Sequence, residues 1–419
     1  MRWLAAVGLS LTLACSEHVR RGPAVPAPAT PAGDATSFLV GRLRPWPDPG
    51  SVGLLAVTDP ATGRVATYDS ALVVLVLLRA GRRDLAARVL QGLAALQGDD
   101  GRLPFSFTLP APDPEPRFER SGAIAWAGYA AAEYLDADVG GPARDLVLSF
   151  AHRAAAYLIA HQVARPGDPR DGLVLGGTGN LRYELAGDEV REVLEPGDIV
   201  WASVEHNVDS YFFLRALDRV SRMPVYSVAA SRIARALRER GWSGDSGQFL
   251  EGLAPGAPDD ALALDCASWG SILLGAIGEK ARADTAFSVA DGRYATRDAA
   301  TGARGHRPYA RGPVIPEELA RHRSGRGEAV PNWEHLQAVW PEGSAGVALA
   351  AWRTGNPERA RAILDALEPL RQRDGSLPTS TVAVPFTLDT SPGIAGTAWA
   401  FLARFELERP EDRPTLWAP

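Results

Sequence analysis

Two kinds of apolar pattern alternate along most of this chain. Tyr68 to Arg79 is apolar nearly all round, whereas Asp84 to Gln97 carries Leu85, Val89, Leu90, Leu93 and Leu96 on a single stripe. A period near 3.6 predicts helices for both. The first kind should be buried on most sides and the second should lie outside it, with one face to solvent. The pairing recurs: Ala123 to Leu135 then Arg144 to His161, Val204 to Val220 then Tyr226 to Arg240, Leu264 to Ile277 then Glu279 to Ala290, and Gly343 to Arg353 then Pro357 to Arg373. Ile394 to Leu407 closes the series. No run alternates convincingly with the period of a strand, so the expected class is all-α.

The first and fifth pairs are copies of one unit. Residues 79–106 align without gaps to residues 353–380, with eleven identities that include Asp100-Gly101 against Asp374-Gly375 and Leu103-Pro104 against Leu377-Pro378. Ala125-Trp126-Ala127 then matches Ala398-Trp399-Ala400 in almost the same register. The repeating unit is a helical hairpin, and Asp-Gly is expected to end the outer helix and turn the chain. Five hairpins and a closing helix, with Phe38 to Leu43 available to partner it, make six pairs. An open solenoid would end in capping units with a polar outer face; here the first and last units are the most alike and both are apolar, which favours ring closure. The expectation is a single (α/α)6 toroid over residues 38–410, with 411–419 as a tail. At this point the chain resembles the six-hairpin glycosidase superfamily over essentially all of residues 38–410.

The chain has 419 residues, is 46% hydrophobic and 22% charged, and carries a net charge of −6 with no long basic run. That composition is ordinary for a globular protein and offers nothing to a nucleic-acid backbone. The N-terminus reads as an address. A positive start precedes the apolar stretch Leu4 to Ala14, which is too short to span a bilayer and suits the core of a signal peptide. Leu11-Thr12-Leu13-Ala14-Cys15 resembles a bacterial lipobox, departing from it at Thr12, and implies lipidation of Cys15. Residues 1–15 are thus a signal segment and residues 16–37, rich in Pro and Ala, a tether. An exported, lipid-anchored protein of the cell envelope is expected, touching the membrane only through that anchor. The second cysteine, Cys266, would be a lone thiol.

Unusual residues collect where the inner helices begin: Tyr68-Asp69-Ser70, Arg120-Ser121, Ser203 through Asp209, Asp265 through Trp269, Trp340-Pro341-Glu342, and Thr390-Ser391-Pro392. In a toroid with parallel inner helices these starts converge on one mouth, where six helix N-termini favour negative charge. Ser121, Ser203 and Ser391 read as plain N-caps. Glu205 and Asp209, four residues apart on an apolar helix, stack like charges on one face, a cost that a catalytic or sugar-binding pair, or a satisfied buried network, would explain. Glu342 sits beside Trp340 at a proline-initiated helix start. Asp265 with Trp269 repeats the theme, as does Tyr68 with Asp69. Trp333-Glu334-His335 is a further acid site, beside a charged segment (302–332) that could cover the mouth, and the span Gly167 to Asp198 could form a small hairpin at the rim through Leu173 to Leu175 and Leu181 to Tyr183. His206 has no second histidine at ligand spacing, so neither metal nor another cofactor is expected.

Two carboxylates beside aromatic faces suit a glycoside hydrolase acting on an oligo- or polysaccharide. Glu205 and Glu342 are the expected acid and base, with Asp69, Asp209 and Asp265 as alternatives. Tyr68, Trp126, His206, Asn207, Tyr211, Trp269 and Trp340 are expected to bind sugar. The family resemblance implies inversion at the anomeric carbon. Two other readings stay open: a lyase or sugar epimerase with Tyr211, His206 or Arg120 abstracting the proton, and a glycan-binding lipoprotein without activity.

Overall fold

A computed structural model describes residues 34–111, 117–137, 141–186, 189–385, 387–408 and 416–418. The signal segment, Cys15 and the tether up to residue 33 lie outside the described residues. Thirteen α-helices are found among them: α1 Ala35–Gly41, α2 Thr67–Arg79, α3 Arg83–Leu96, α4 Ser121–Ala137, α5 Arg144–Ala160, α6 Val204–Ser221, α7 Pro224–Ala236, α8 Leu264–Ala276, α9 Lys280–Arg293, α10 Glu317–Gly325, α11 Pro341–Arg353, α12 Pro357–Leu367 and α13 Ile394–Glu408. None is long and apolar enough to cross a membrane.

The inner ring is α2, α4, α6, α8, α11 and α13, each packed on the next, and α13 packs back on α2 to close it. The outer ring is α3, α5, α7, α9 and α12, each against its own inner helix, with α1 against α13 and α2 as the sixth. The two apolar patterns explain the division. In α2 every residue from Thr67 to Leu77 is buried, whereas α3 buries only Ala86, Val89, Leu90, Gly92 and Leu93. The first and fifth repeats match in backbone as well as in sequence, since Gly101 and Gly375 both hold φ at +89°, a region that glycine enters at little cost. The Asp-Gly pairs turn the chain a few residues beyond the outer helices, which end at Leu96 and Leu367, so they are not the helix caps expected.

Short strands, which no alternation announced, hold the mouth. A four-stranded antiparallel sheet (Leu43–Pro45, Leu54–Asp59, Arg64–Ala66, Ser106–Thr108) lies against α2 and α3 and leads into α2. Ala202–Ser203 pairs with Gly252–Leu253 just before α6, and Pro392–Gly393 pairs with Leu377–Pro378 just before α13. The rim hairpin is longer than expected and displaced along the chain: Gly177–Ala186 pairs with Glu189–Ile199, and its base pairs with Glu119–Arg120 in front of α4. Leu173 to Leu175 stays outside it. Segment 302–332 contains α10, a helix the pattern did not predict, and α10 packs on strand Gly177–Ala186.

The opposite end of the ring is filled. Trp417 lies against Trp126, Trp269 and Trp399 at 5.1–5.7 Å and stacks on Phe212 at 4.9 Å. Its backbone N–H donates to the Tyr129 hydroxyl (2.7 Å), and that of Leu416 donates to Glu406 (2.6 Å). The region expected to be a mere tail therefore contributes a large aromatic to the axis of the toroid.

Candidate active site

The inner-helix starts bring four of the expected acids together. Glu205 lies in the first turn of α6, Asp209 one turn further on, Asp265 in the first turn of α8 and Glu342 in the first turn of α11. Glu251, from the loop between α7 and α8, joins them. Asp209, Glu251, Asp265 and Glu342 are 2–7% exposed, and Glu205 alone of the five is partly open to solvent. Burial holds all five carboxyls well above their ordinary range, and their mutual repulsion adds to it: Asp209, Glu342 and Glu251 act on Glu205, Asp265 on Asp209, Glu205 on Asp265, and Asp265 on Glu342. So many acids in one low-dielectric site cannot all ionise, and the group retains protons at neutral pH.

Glu342 is held by a relay across three neighbouring helices. The Trp399 indole N–H on α13 donates to the Tyr68 hydroxyl on α2 (2.6 Å), which donates to Glu342 Oε1 on α11 (2.7 Å). Tyr68 is edge-on to Trp126 at 5.4 Å, and Trp269 stacks on Trp399 at 5.3 Å. Tyr68, Trp126 and Trp269 thus form the floor under the acids. Trp340 caps α11 with its ring buried. Several polar atoms here are buried and without a hydrogen-bond partner: Asp265 Oδ1, Ser268 Oγ and the indole nitrogen of Trp269. Buried groups of this kind are uncommon unless a ligand or water completes them.

Other expected site residues have different duties. Asp69 turns to the side, where it accepts from the Thr58 hydroxyl (2.6 Å) and faces Arg42; burial nonetheless pushes it up to about 6. Asn207 is spent on backbone, donating to Val174 O (3.0 Å) and Ser203 O (2.7 Å) and accepting from Val174 N (2.8 Å). Tyr211 lies edge-on to Phe212 and beside Arg215. His206 meets Ser121 Oγ at 3.3 Å, and burial together with the Arg120 charge pulls it down to about 3, so it is neutral. Gly122 lets its ring in: a Cβ there would lie 2.4 Å from His206 Cδ2 and 3.1 Å from Asp209 Oδ2. Arg120 is buried and donates to the carbonyls of Glu119 (2.8 Å), Thr178 (3.1 Å) and Gly179 (3.0 Å), stapling the hairpin to α4. Glu334 is exposed, away from the acids. Of the three expected N-caps, Ser203 caps α6 through His206 N (3.4 Å), Ser121 is the first residue of α4, and Ser391 bonds Asp389 ahead of α13. Cys266 is buried beside Asp265, and burial pushes its thiol well up.

Glu251 escaped the sequence reading because no helix start marks it. It accepts from the Tyr309 hydroxyl (3.2 Å), which segment 302–332 brings over the mouth. A cavity of about 10 Å³, room for one water, lies beside it against Trp201, Ser203 and Asp259.

No family model and no curated protein matches this sequence. Solved structures do. A D-mannose isomerase superposes with a TM-score of 0.63 at 12% identity, over 90% of this chain and 95% of its own. A glycosidase variant in complex with glucose gives 0.60 at 12%, over 92% and 96%. A GH76 alpha-mannanase from Bacteroides thetaiotaomicron gives 0.53 at 10%, over 90% and 94%. At such identities the likeness is one of fold: this chain has an (α/α)6 toroid like theirs.

Proposed function

We propose that this protein is a carbohydrate-active enzyme, and specifically a glycoside hydrolase that uses Glu342 and Glu205. The observation that carries the reading is the convergence of five buried carboxyls at one mouth, over an aromatic floor, with only Glu205 reaching solvent. Glu342, kept protonated by burial and oriented by Tyr68, gives its proton to the glycosidic oxygen as the bond to the anomeric carbon breaks. Glu205, the one of the five partly open to solvent, takes a proton from the water that attacks that carbon. Asp209, Asp265 and Glu251 share the remaining protons and set the affinity of the pair. The structural neighbours that are glycosidases include two Glu→Ala variants and one Tyr→Phe variant, residue types that match Glu205, Glu342 and Tyr68. A lyase or epimerase would draw its base from Tyr211, His206 or Arg120; the hydrolase reading is preferred because the five carboxyls converge at the mouth.

Release of reducing sugar from a panel of oligo- and polysaccharides tests the reading, with Glu205→Gln and Glu342→Gln beside wild type. Loss of about a hundredfold or more in each is expected. Full activity in both overturns the assignment, and sugar binding without product would identify a glycan-binding protein. Export and lipidation at Cys15 are part of the same proposal: wild type should fractionate with membranes, and Cys15→Ala should be released.

A further inference from the structure

Of the run Trp333-Glu334-His335 it is the tryptophan, not the acid, that turns inward: Trp333 is buried, while Glu334 and His335 are exposed. The Trp333 ring lies 5.7 Å from that of Tyr309, and its backbone N–H donates to Gly312 O (2.9 Å), which folds the chain back on the stretch that carries Tyr309. Tyr309 is fixed on its other side by the approach to α8. Leu264 N donates to Pro308 O (2.8 Å) and Ala310 N to Leu262 O (3.0 Å), a single antiparallel bridge between Ala263 and Tyr309 just ahead of Asp265. From this buried position the Tyr309 hydroxyl donates to Glu251 Oε1 (3.2 Å).

Glu251 is tied in turn to the start of α6. Its carbonyl accepts from Val204 N (3.0 Å), its N–H donates to Asp259 O (3.0 Å), and Gly252 after it pairs with Ser203. Val204 is the residue before Glu205, so the backbone sets Glu251 beside the assigned base. Resting on the hydrolase reading, we propose that Tyr309, backed by Trp333, and Glu251 are positioning residues that act through Glu205: Tyr309 orients Glu251 against the start of α6, and Glu251 governs the proton transfer at Glu205. A phenol that donates to a carboxyl favours its ionised form, and an ionised neighbour makes a second carboxyl hold its proton more tightly. Burial raises Glu251, Asp259 adds to it, and the Tyr309 bond pulls the other way. Burial also raises Glu205, and Asp209, Glu342 and Glu251 add to it. The other titratable groups that bear on these two acids are Asp265 and Cys266 on α8, Tyr294 after α9 and Tyr309 itself. The charge that Tyr309 sustains on Glu251 thus makes Glu205 the stronger base. Acid and base are each served by a tyrosine against a tryptophan, Glu342 by Tyr68 with Trp399 and Glu205, through Glu251, by Tyr309 with Trp333.

The experiment measures the pH dependence of kcat/KM, on the oligosaccharide that wild type cleaves fastest, for wild type, Tyr309→Phe, Glu251→Gln and the double variant. Glu251→Gln removes the charge, and its acid limb should move to lower pH by about one unit. Tyr309→Phe keeps the ring against Trp333 and should move the limb the same way by less. The double variant should move it no further than Glu251→Gln alone, because Tyr309 acts through Glu251. A merely structural role would lower stability and kcat and leave the acid limb in place. That result overturns the proposal, as does a double variant whose shift is the sum of the two. If wild type hydrolyses nothing, the hydrolase reading fails and the link is read from urea unfolding. The pH at which Glu205→Gln changes stability most steeply relative to its parent should then lie lower in the Glu251→Gln background than in wild type, and the same pH in both overturns the positioning. Should Glu251→Gln not fold, Tyr309→Phe alone carries both measurements with the same directions.

Discussion

Asp69→Asn separates a buried acid that acts chiefly on stability from those assigned to chemistry. Asp69 is buried in α2, its Oδ2 accepts from Thr58, and its folded value is about 6 against an ordinary 3.8. A raised value means that the folded state binds the proton more tightly than the unfolded chain does. The stability this contributes is complete below pH 3.8, declines as the pH rises and is lost above about 6. At 1.36 kcal/mol for each tenfold step in proton affinity, the gap is worth about 3 kcal/mol. Asn keeps an acceptor for Thr58 and cannot ionise. The stability of the variant relative to wild type should therefore rise by about 3 kcal/mol between pH 4 and pH 7, although both proteins also respond to the other buried acids. Urea unfolding at constant m-value, at half-unit pH intervals, measures the difference directly. The alkaline limb of kcat/KM should move only modestly, to lower pH, because Asp69 bonds Thr58 and faces Arg42 while its charge also helps to raise Glu342. A stability difference that does not vary with pH would refute the reasoning, as would loss of the catalytic pH profile, which would return Asp69 to the reacting group.

Further outcomes follow from the same geometry. Tyr68→Phe leaves the Trp399 N–H buried without an acceptor and Glu342 without its donor, which should cost about 1–3 kcal/mol in urea unfolding and lower kcat more than it raises KM. The pH profile of kcat/KM should lie above the ordinary carboxylate range on both limbs, since Glu205 must lose a proton and Glu342 must keep one, and both are raised; an optimum near pH 4 would contradict it. Trp417→Ala removes the central ring of the floor and should cost about 3–5 kcal/mol, read as a shift in thermal midpoint. Gly122→Ala drives a methyl against His206 Cδ2 and should cost about 1–3 kcal/mol, with activity falling as Asp209 is displaced.

Helix order and ring closure were legible because an all-apolar helix and a one-stripe helix differ along the whole of their length, and because the repeat fixes which units are alike. The strands were not, since staples of two or three residues such as Ala202–Ser203 have no room to display a period. Glu205 and Asp209 stood out through a cost visible locally, two like charges one turn apart. Glu251 offered no such sign: its significance arises when the loop after α7 folds back to Tyr309. The duties of Asn207 and Arg120 were hidden for the same reason, because Val174, Thr178 and Gly179, whose backbone they hold, lie 33 to 59 residues away. The repeat register holds one further relation: Tyr68 and Glu342 stand 274 residues apart, the offset that relates the first unit to the fifth. Equivalent positions of two copies have diverged into donor and acid and now bond each other.

The two ends of the same helices solve the problem of buried charge in opposite ways. At their C-terminal end Glu133 meets Arg79 at 2.9 Å and Arg219 at 3.8 Å, while Glu406 meets Arg353 at 3.8 Å and accepts from Leu416 N. Those arginines also complement the negative ends of the helix dipoles. At the mouth the nearby cations are committed elsewhere, Arg120 to the hairpin carbonyls and Arg42 to Pro392 O and Asp69. Five carboxyls face one another with helix dipoles and two tyrosines, Tyr68 and Tyr309, for support. The fold can pair a buried acid one barrel length away, as Glu133 with Arg79 shows, although burial still pushes Glu406 up to about 7. Had stability alone shaped the mouth, arginines or apolar residues would serve better there. Uncompensated acids concentrated at one end are a stability deficit of the kind that active sites carry. A proton-sharing group with a single member partly open to solvent is also what hydrolysis by an acid and a base requires.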